Sequence, residues 1–200
     1  MTSRLLAFLF ALLLPVVVTG RESAQFYATN VASLIAPEKL ATLGKRGAIP
    51  RVQKATAMLE NAKRDGYSVS LTASNAVKIA GYTNLLVALA TYNQLRVNHQ
   101  IADRFGVFDE VGMDDMRRGT SPTITRGPHK GDELSVDHIV PYAVVPELDN
   151  VIANLELMPL KLNREKNSKM GTRQRDMVKR FCAAGLLTRK RLEEILGKSN

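Results

Sequence analysis

The sequence predicts an α+β fold, in which a mostly α-helical chain carries one short unit that contains β-strands. Apolar residues recur at helical spacing through the N-terminal half, whereas residues 133–141 form a short strand-like run that ends in a proline. A segment rich in glycine and proline, residues 117–131, separates the two regions. A chain of 200 residues with 45% hydrophobic residues is globular and long enough for one domain with appendages.

Two helical patterns account for most of the N-terminal half. The first covers residues 49–62 and is followed by a stop at Gly66. The second covers residues 74–105, with Gly81 as a candidate kink. Because residues 85–90 are apolar on every side of that helix, we expect it to be central and buried.

The N-terminus has the pattern of a secretory signal peptide. A basic residue, Arg4, precedes an apolar run over residues 5–18, and small residues suited to signal peptidase follow up to Gly20. The run has 14 residues and is interrupted by Pro15, so it is short of the ~20 residues that a membrane anchor needs. We therefore expect cleavage near Gly20 and a secreted or periplasmic protein, with an uncleaved membrane anchor as the alternative.

The positive charge of the chain is concentrated in its last quarter. The formal net charge is +9. Residues 21–156 contain equal numbers of basic and acidic residues, whereas residues 157–200 contain twelve basic and four acidic ones. Such a surplus is typical either of a solvated helical face or of a surface that binds a polyanion such as nucleic acid.

A strand, a second strand and a helix are predicted in succession after the segment rich in glycine and proline. The first strand is the run at residues 133–141, and the second covers residues 154–158. A proline suited to the first turn then opens a helix over residues 159–169. That helix would place Asn163 and Asn167 four residues apart on one face.

The first of these strands carries an adjacent acid and histidine, Asp137 and His138, whose side chains point to opposite faces unless the strand bends there. Asn154 follows His138 by 16 residues, and Asn163 follows Asn154 by nine. This pattern resembles the HNH endonuclease motif, the ββα-metal fold, in the version whose third signature residue is asparagine, as in the HNH domain of CRISPR effector nucleases. The resemblance covers residues 132–171, about a fifth of the chain.

The resemblance implies catalytic and metal-binding roles for five residues. His138 would be the general base, since an imidazole that is mostly neutral at pH 7 can accept a proton from water. In the family the middle asparagine orients that imidazole, which assigns this role to Asn154. Asp137 and Asn163 would be oxygen ligands of one divalent cation, and Asn167 would be a further ligand at the i, i+4 spacing.

The metal that the resemblance implies is a hard cation. Carboxylate and amide oxygens favour Mg²⁺ or Mn²⁺ over Zn²⁺, which prefers histidine and cysteine ligands. The single cysteine, Cys182, cannot build a cysteine-rich zinc site, and it excludes an internal disulfide. We therefore expect one divalent cation, with Mg²⁺ first, Mn²⁺ second and Zn²⁺ least favoured.

Basic residues in the predicted motif helix and just after it are candidates for contacts with DNA phosphates. Such contacts position a duplex without reading its sequence. Two further helices are expected at residues 172–184 and 188–196, each with a threonine N-cap. The candidate phosphate contacts are Arg164, Lys166, Lys169, Arg173 and Arg175.

The other two histidines are weaker candidates for the site. His99 lies in the long predicted helix, where we expect it at the surface or in a capping role. His129 lies in the segment rich in glycine and proline, near the motif, and is a minor candidate for substrate contact.

The motif and the charge together predict a secreted or periplasmic metal-dependent endonuclease that hydrolyses phosphodiester bonds in DNA with little sequence preference. RNA is left open as a substrate, and the alternatives are a catalytically inactive, basic DNA-binding module or a membrane-anchored nuclease. No small-molecule cofactor is expected, and a membrane is a partner only if the signal segment is retained. The predicted organisation is a signal peptide at 1–20, an N-terminal helical region at 21–116, a linker at 117–131, the ββα-metal motif at 132–171 and basic C-terminal helices at 172–200.

Overall fold

The structure is a computed structural model that describes residues 22–197. These residues form nine α-helices and a two-stranded antiparallel sheet, so the α+β prediction is confirmed at this level. The predicted signal segment, residues 1–20, lies outside the described residues. Between residues 22 and 197, none of the helices combines the length and the apolar character needed to cross a bilayer. The elements are α1 (Ala24–Ile35), α2 (Pro37–Ala41), α3 (Ile49–Arg64), α4 (Val69–Ile79), α5 (Leu85–Phe105), α6 (Glu110–Arg118), β1 (Leu134–His138), β2 (Leu155–Pro159), α7 (Leu160–Lys166), α8 (Thr172–Ala183) and α9 (Arg189–Gly197).

Helix α3 lies at the centre of the N-terminal part and packs against α1, α4, α5, α6 and β1. It begins with a proline in its first turn, where a backbone N–H would have no helical partner. Val52, Ala55, Leu59 and Ala62 recur at helical spacing and are all buried. The helix predicted over residues 49–62 is therefore confirmed, and its apolar face lies in the core.

The single helix predicted over residues 74–105 is wrong, because two helices, α4 and α5, occupy this stretch. The chain turns at Gly81, whose φ of 79° is left-handed and favours glycine. Helix α5 then begins after Asn84, whose side-chain oxygen accepts hydrogen bonds from the N–H groups of Leu86 and Val87. The expected kink is thus a complete break between two capped helices.

The first turns of α5 are exposed, although the sequence predicted a buried segment at residues 85–90. Leu85 is 80% exposed, and Leu86 and Leu89 are 52% and 51% exposed. The buried face of the helix lies further along and includes Leu95. A run that is apolar on every side therefore does not determine which part of it the rest of the protein covers.

Strands β1 and β2 pair in antiparallel register, with Val136 opposite Leu157 and Asp137 opposite Glu156. Because side chains alternate along a strand, the sheet has two different faces. The core face packs with α3 and α5 and carries Leu134, Val136, Leu155 and Leu157, and His138 lies on the same side at the end of β1, opposite Leu155. The polar face lies under α7 and carries Ser135, Asp137, Glu156 and Met158.

Amide side chains from two buried helices bond to the outer edges of this small sheet. On β1, the carbonyl of Leu134 accepts a hydrogen bond from Gln53 Nε2 at 3.0 Å. On β2, Asn98 Nδ2 donates to the carbonyl of Leu155, and Asn98 Oδ1 accepts from the N–H of Leu157, both at 3.0 Å. A two-stranded sheet is only marginally stable alone, so α3 and α5 stabilise it through these bonds as well as through apolar contact.

The segment predicted as a linker, residues 117–131, does not separate two independent cores. Its first residues complete α6, and a later part forms a bridge with the residue before β1. The N–H of Leu134 donates to the carbonyl of Pro122 at 2.8 Å, and Ile124 is buried in the same cluster as the core face of the sheet. The N-terminal helices and the sheet therefore form a single packed unit.

Helices α8 and α9 belong to a second cluster of buried side chains. This cluster joins Phe181 of α8 and Ile195 of α9 to Val145 and Leu148, which lie in the loop between β1 and β2. The basic C-terminal segment is therefore attached to the loop of the predicted motif.

One of the two predicted threonine N-caps is confirmed. The hydroxyl of Thr188 accepts a hydrogen bond from the N–H of Arg191 in the first turn of α9. The other is wrong, because α8 already includes Thr172 and its N-cap is Gly171.

Candidate functional site

The predicted motif folds as strand, strand and helix, in the expected order; the first strand and the helix are shorter than predicted, and the second strand is shifted by one residue. Asp132 fastens the helix to the first strand. Its carboxylate accepts hydrogen bonds from the N–H of Lys161, in the first turn of α7, and from the N–H of Glu133, both at 3.0 Å. These bonds, led by the one from Lys161, hold the pKa of the Asp132 carboxyl below its ordinary value. Helix α7 is thus held over the polar face of the sheet.

Asp137, a predicted metal ligand, lies on this polar face beneath α7. The ammonium of Lys166 contacts Asp137 Oδ2 and the backbone carbonyl of His138. The two side chains of the ion pair are mostly buried, at 14% and 15% exposure. Two oxygen acceptors on consecutive residues therefore hold the ammonium of Lys166 at the end of β1.

Asn163, the second predicted ligand, faces the same side of β1 from α7. Its Nδ2 donates to Ser135 Oγ at 3.2 Å. Since Ser135 and Asp137 are two positions apart on the strand, they share a face, and Asn163 and Asp137 therefore meet at one interface. Because Nδ2 is engaged in this bond, Oδ1 is the atom of Asn163 that is suited to bind a hard cation.

The third predicted ligand, Asn167, does not lie on a helical face with Asn163. Helix α7 ends at Lys166, and Asn167 follows it with a φ of 48° and a ψ of −133°. Because its φ is positive, Asn167 cannot continue a right-handed helix. The helix predicted to reach residue 169 is therefore wrong, and so is the i, i+4 spacing that favoured Asn167 as a paired ligand.

His138 is the last residue of β1, and its imidazole is held by Asp149 in the loop between the strands. Nε2 lies 2.9 Å from Asp149 Oδ1 and 3.0 Å from the backbone carbonyl oxygen of the same residue. A carboxylate and a carbonyl can only accept, so in the neutral ring Nε2 carries the proton and Nδ1 carries the lone pair. His138 is 4% exposed, and the ring of Tyr142 lies 6.1 Å from it, centroid to centroid.

The resemblance assigned the orientation of the imidazole to Asn154, and the structure gives this contact to Asp149 instead. The buried side chain of Asn154 bonds the backbone of Val140. Its Oδ1 accepts from the N–H at 2.8 Å, and its Nδ2 donates to the carbonyl at 3.1 Å. Asn154 therefore fixes the course of the chain two residues after His138 and reaches the imidazole only indirectly.

Glu156 is a buried carboxylate that the sequence analysis did not single out. It stands opposite Asp137 in the sheet register, so the two carboxylates lie side by side on the polar face. Arg173 of α8 binds it with two hydrogen bonds, at 2.8 Å to Oε2 and 2.5 Å to Oε1, and this contact raises the pKa of the Arg173 guanidinium. The only signal in the sequence is the alternation of this acid with apolar neighbours in β2.

Two of the five predicted phosphate contacts, Lys166 and Arg173, are instead paired with carboxylates. Arg164 and Lys169 are exposed on α7 and just after it, and Arg175 is half-buried on α8. Contact of these three residues with phosphate stays a prediction. Fewer of the basic residues near α7 are therefore candidates for phosphate contact than their number in the sequence indicated.

His99 is buried, and its prediction as a surface or capping residue is wrong. Its Nε2 lies 2.9 Å from Oε2 of Glu60, in the space between α3 and α5. Burial raises the pKa of Glu60, but hydrogen bonds from His99 and Arg64 outweigh burial and hold that pKa below its ordinary value. His129 lies against Phe105, with ring centroids 6.0 Å apart, and its contact with substrate stays a prediction.

The donor atoms at the interface of β1 and α7 have the chemistry of a site for a hard cation. Within residues 22–197, no three histidine, cysteine or acidic side chains are grouped as a closed metal site would require. Mg²⁺ needs fewer protein ligands, since it keeps several waters and is held by one or two carboxylates together with substrate phosphates. Asp137 and the amide oxygen of Asn163 are two oxygen donors of the kind that suits Mg²⁺ or Mn²⁺ better than Zn²⁺.

Comparison of the chain with models of protein families, with curated protein sequences and with solved structures found no match. The function must therefore be inferred from the residues of the β1, β2 and α7 unit and from their contacts.

Proposed function

We propose that the chain is a metal-dependent endonuclease of the HNH type, secreted or periplasmic, which hydrolyses phosphodiester bonds in DNA with little sequence preference. The observation that supports this proposal most is the packing of α7 on β1. It brings Asn163 of α7 to the same interface as Asp137, and Asp137 immediately precedes His138, the last residue of β1. Hydrolysis of a phosphodiester needs a base for the attacking water and stabilisation of the charge on the phosphate. His138 would supply the first, and a cation held by Asp137 and Asn163 would supply the second.

His138 would act as the general base through Nδ1. Asp149 occupies Nε2, so the lone pair of the neutral ring is on the other nitrogen. The proton of the attacking water would move to Nδ1, and the imidazolium would remain bonded to Asp149 through Nε2. Asn154 holds the backbone just beyond the strand and so keeps this end of β1 in one conformation.

Asp137 and Asn163 would hold the divalent cation, for which Mg²⁺ is the first choice and Mn²⁺ the second. When bound, the cation would stabilise charge on the phosphate and on the departing oxygen. The ammonium of Lys166 already contacts Asp137 Oδ2, so Lys166 and a metal would compete for the same oxygen.

The charge of the C-terminal segment supports DNA as the substrate class. Residues 157–200 hold the basic surplus, and Arg164 and Lys169 are exposed on α7 and just after it. Contacts with phosphate alone give affinity without sequence preference, and such affinity falls steeply with salt. The same chemistry does not require a deoxyribose, so RNA stays open as a second substrate.

A catalytically inactive, basic DNA-binding module is the second candidate, and two observations favour it. Lys166 neutralises a carboxylate that a metal would need, and His138 is almost completely buried. In that case the Asp137–Lys166 pair would only join α7 to β1, and the chain would bind DNA without cleaving it.

A plasmid assay with the full-length protein separates the two candidates. We expect the wild type to nick supercoiled plasmid in Mg²⁺ or Mn²⁺ and a chelator to stop it. His138→Ala should lower kcat by roughly 10²- to 10⁴-fold, because the base is lost, and should leave DNA affinity unchanged. Equal cleavage by His138→Ala and wild type would contradict the role of His138, whereas binding without cleavage by the wild type would favour the inactive module.

Secretion has a separate test. The mass of the protein recovered outside the cytoplasm should show that residues 1–20 have been removed. Recovery of the intact chain with the membrane fraction would favour the membrane-anchored alternative.

A further inference from the structure

The segment between α2 and α3, residues 43–48, is bonded to the loop between β1 and β2. The side chain of Asn150 accepts a hydrogen bond from the N–H of Ala48 at 3.0 Å and donates to carbonyls of the same segment. The adjacent Asp149 accepts from the N–H of Arg46 at 2.8 Å, through Oδ2. Two consecutive loop residues are thus held by a segment that lies about 100 residues earlier in the chain.

The backbone of Arg46 is strained at this junction. Its φ is 59°, a left-handed conformation that residues other than glycine rarely adopt. Among the non-glycine residues that the structure describes, only Arg46 and Asn167 have a positive φ, and Asn167 directly follows α7. Strained backbone persists where the surrounding contacts over-determine it, and it concentrates at functional sites. Both strained residues lie beside the candidate site.

Both oxygens of the Asp149 carboxylate are engaged, and the residue is buried at 8% exposure. Oδ2 accepts from Arg46, and Oδ1 faces Nε2 of His138. The carboxylate therefore cannot rotate away from the imidazole without breaking its bond to the strained segment.

We propose that Asp149 is the positioning residue of His138 and that the N–H of Arg46 holds its carboxylate in place. This inference rests on the proposed function, because positioning matters only if His138 accepts a proton. The carboxylate and the carbonyl of Asp149 keep the proton of the neutral ring on Nε2 and the lone pair on Nδ1. When Nδ1 takes a proton from water, the carboxylate stabilises the imidazolium across Nε2. Arg46, which lies between α2 and α3, then contributes to the position of the imidazole through Asp149.

Asp149→Asn tests the proposal, and Asn150→Ala is its matched control. Both changes affect the junction with residues 43–48, but Asp149 also contacts the imidazole. In Asp149→Asn the amide oxygen can still accept from Arg46, whereas its NH₂ group opposes the N–H of Nε2. We expect kcat for plasmid nicking to fall roughly 10- to 100-fold with KM changed less than about twofold, because the retained backbone carbonyl limits the loss. Asn150→Ala should lower kcat by less than about threefold.

A second measurement does not depend on nuclease activity. In protein labelled with ¹⁵N in its histidine rings, the Nε2 proton of His138 should resonate downfield and exchange slowly with water, because it is bonded to a buried carboxylate. We expect this resonance in the wild type and in Asn150→Ala, and its loss or upfield shift in Asp149→Asn. Thermal unfolding of each variant shows whether it has folded. If Asp149→Asn does not fold, Asp149→Ala takes its place, because it also keeps the backbone carbonyl.

The outcomes distinguish this inference from the proposed function. Equal losses of kcat in Asp149→Asn and Asn150→Ala would overturn the inference, since the loss would then come from the loop junction. A His138 resonance that Asp149→Asn leaves unchanged would overturn it as well. A wild-type protein without nuclease activity would overturn the proposed function, and the resonance would still decide whether Asp149 orients the ring.

Discussion

The two faces of the β1–β2 sheet differ in what covers them. The core face is apolar except for His138 at the end of β1, and it packs against α3 and α5. The polar face carries Asp137 and Glu156 side by side, each paired with a cation from the helices that follow β2. Both faces come from the same two short strands, because successive side chains point to opposite sides.

This difference separates residues that stabilise the fold from residues that have another role. The core face gains free energy by removing apolar surface from water, at about 25 cal/mol per Å². Buried carboxylates cost free energy unless they are paired, and even a paired one is a weak stabiliser compared with apolar side chains of the same volume. We therefore interpret the core face as the source of stability, and the polar face is the place where we propose that a cation binds.

The largest effect is expected from a truncation on the core face. Leu157 is 1% exposed, and Leu157→Ala should lower the free energy of unfolding by about 2–5 kcal/mol, since it leaves a cavity. Met158→Ala is the matched control, because this neighbour is half-buried on the polar face, and it should cost about 1 kcal/mol. Urea unfolding followed by circular dichroism measures both. Equal losses would contradict the division of the sheet into two unequal faces.

The second-largest effect is expected at the outer edge of β2, where Asn98 of α5 makes two hydrogen bonds. Asn98→Ala leaves the carbonyl of Leu155 and the N–H of Leu157 without their partner, and it should cost about 2–3 kcal/mol because buried polar groups are then unsatisfied. Asn93→Ala, on the exposed side of the same helix, should change stability by less than about 0.5 kcal/mol. Amide hydrogen exchange at Leu157 should accelerate in Asn98→Ala alone. Unchanged exchange would mean that the α5 amide does not stabilise this edge.

The order of strand, strand and helix could be predicted because it depends on local patterns. Alternation, a proline stop and a proline at a first turn are all properties of neighbouring residues. The ion pair of Lys166 with Asp137, 29 residues apart, and the hydrogen bond from the backbone N–H of Arg46 to Asp149, 103 residues apart, form only when separate elements pack. The sequence therefore indicated candidate residues, and not which partners contact them.

The helical region shows the same limit. Apolar spacing predicted α3 correctly, since one face of it is buried by several neighbours. Between residues 74 and 105, the apolar pattern continued across a turn that Gly81 and Asn84 determine through backbone conformation and capping. The spacing of apolar residues reports neither backbone conformation nor capping. The break between α4 and α5 was therefore not predicted.

On the polar face, Lys166→Met removes the ammonium and keeps an aliphatic chain of similar length. Asp137 would then lack its internal cation and should bind Mn²⁺ roughly tenfold more tightly, or by about 1.4 kcal/mol, which is near the contribution of a favourable ion pair. Lys161→Met makes the same change at an exposed lysine of the same helix and should leave Mn²⁺ affinity nearly unchanged. Titration with Mn²⁺ followed by electron paramagnetic resonance measures both. Weaker binding in Lys166→Met would show that lysine and metal do not compete.

The smallest effect is expected at Asp132, which fastens α7 to the polar face. Hydrogen bonds from backbone N–H groups lower the pKa of its carboxyl, so the folded protein binds this proton more weakly than the unfolded chain does. The resulting stability is present above the unfolded pKa of about 3.9 and is lost as the pH falls through the lower folded value. The free energies of unfolding of wild type and Asp132→Asn should therefore differ at neutral pH and converge in acid, whereas the exposed Glu133→Gln should follow the wild type throughout. If the difference between the two free energies of unfolding stays constant with pH, the charge of Asp132 does not hold α7 in place. Neutral hydrogen bonds would then hold α7, as they hold the outer edges of the sheet. In that case the two faces would differ mainly in burial and less in charge.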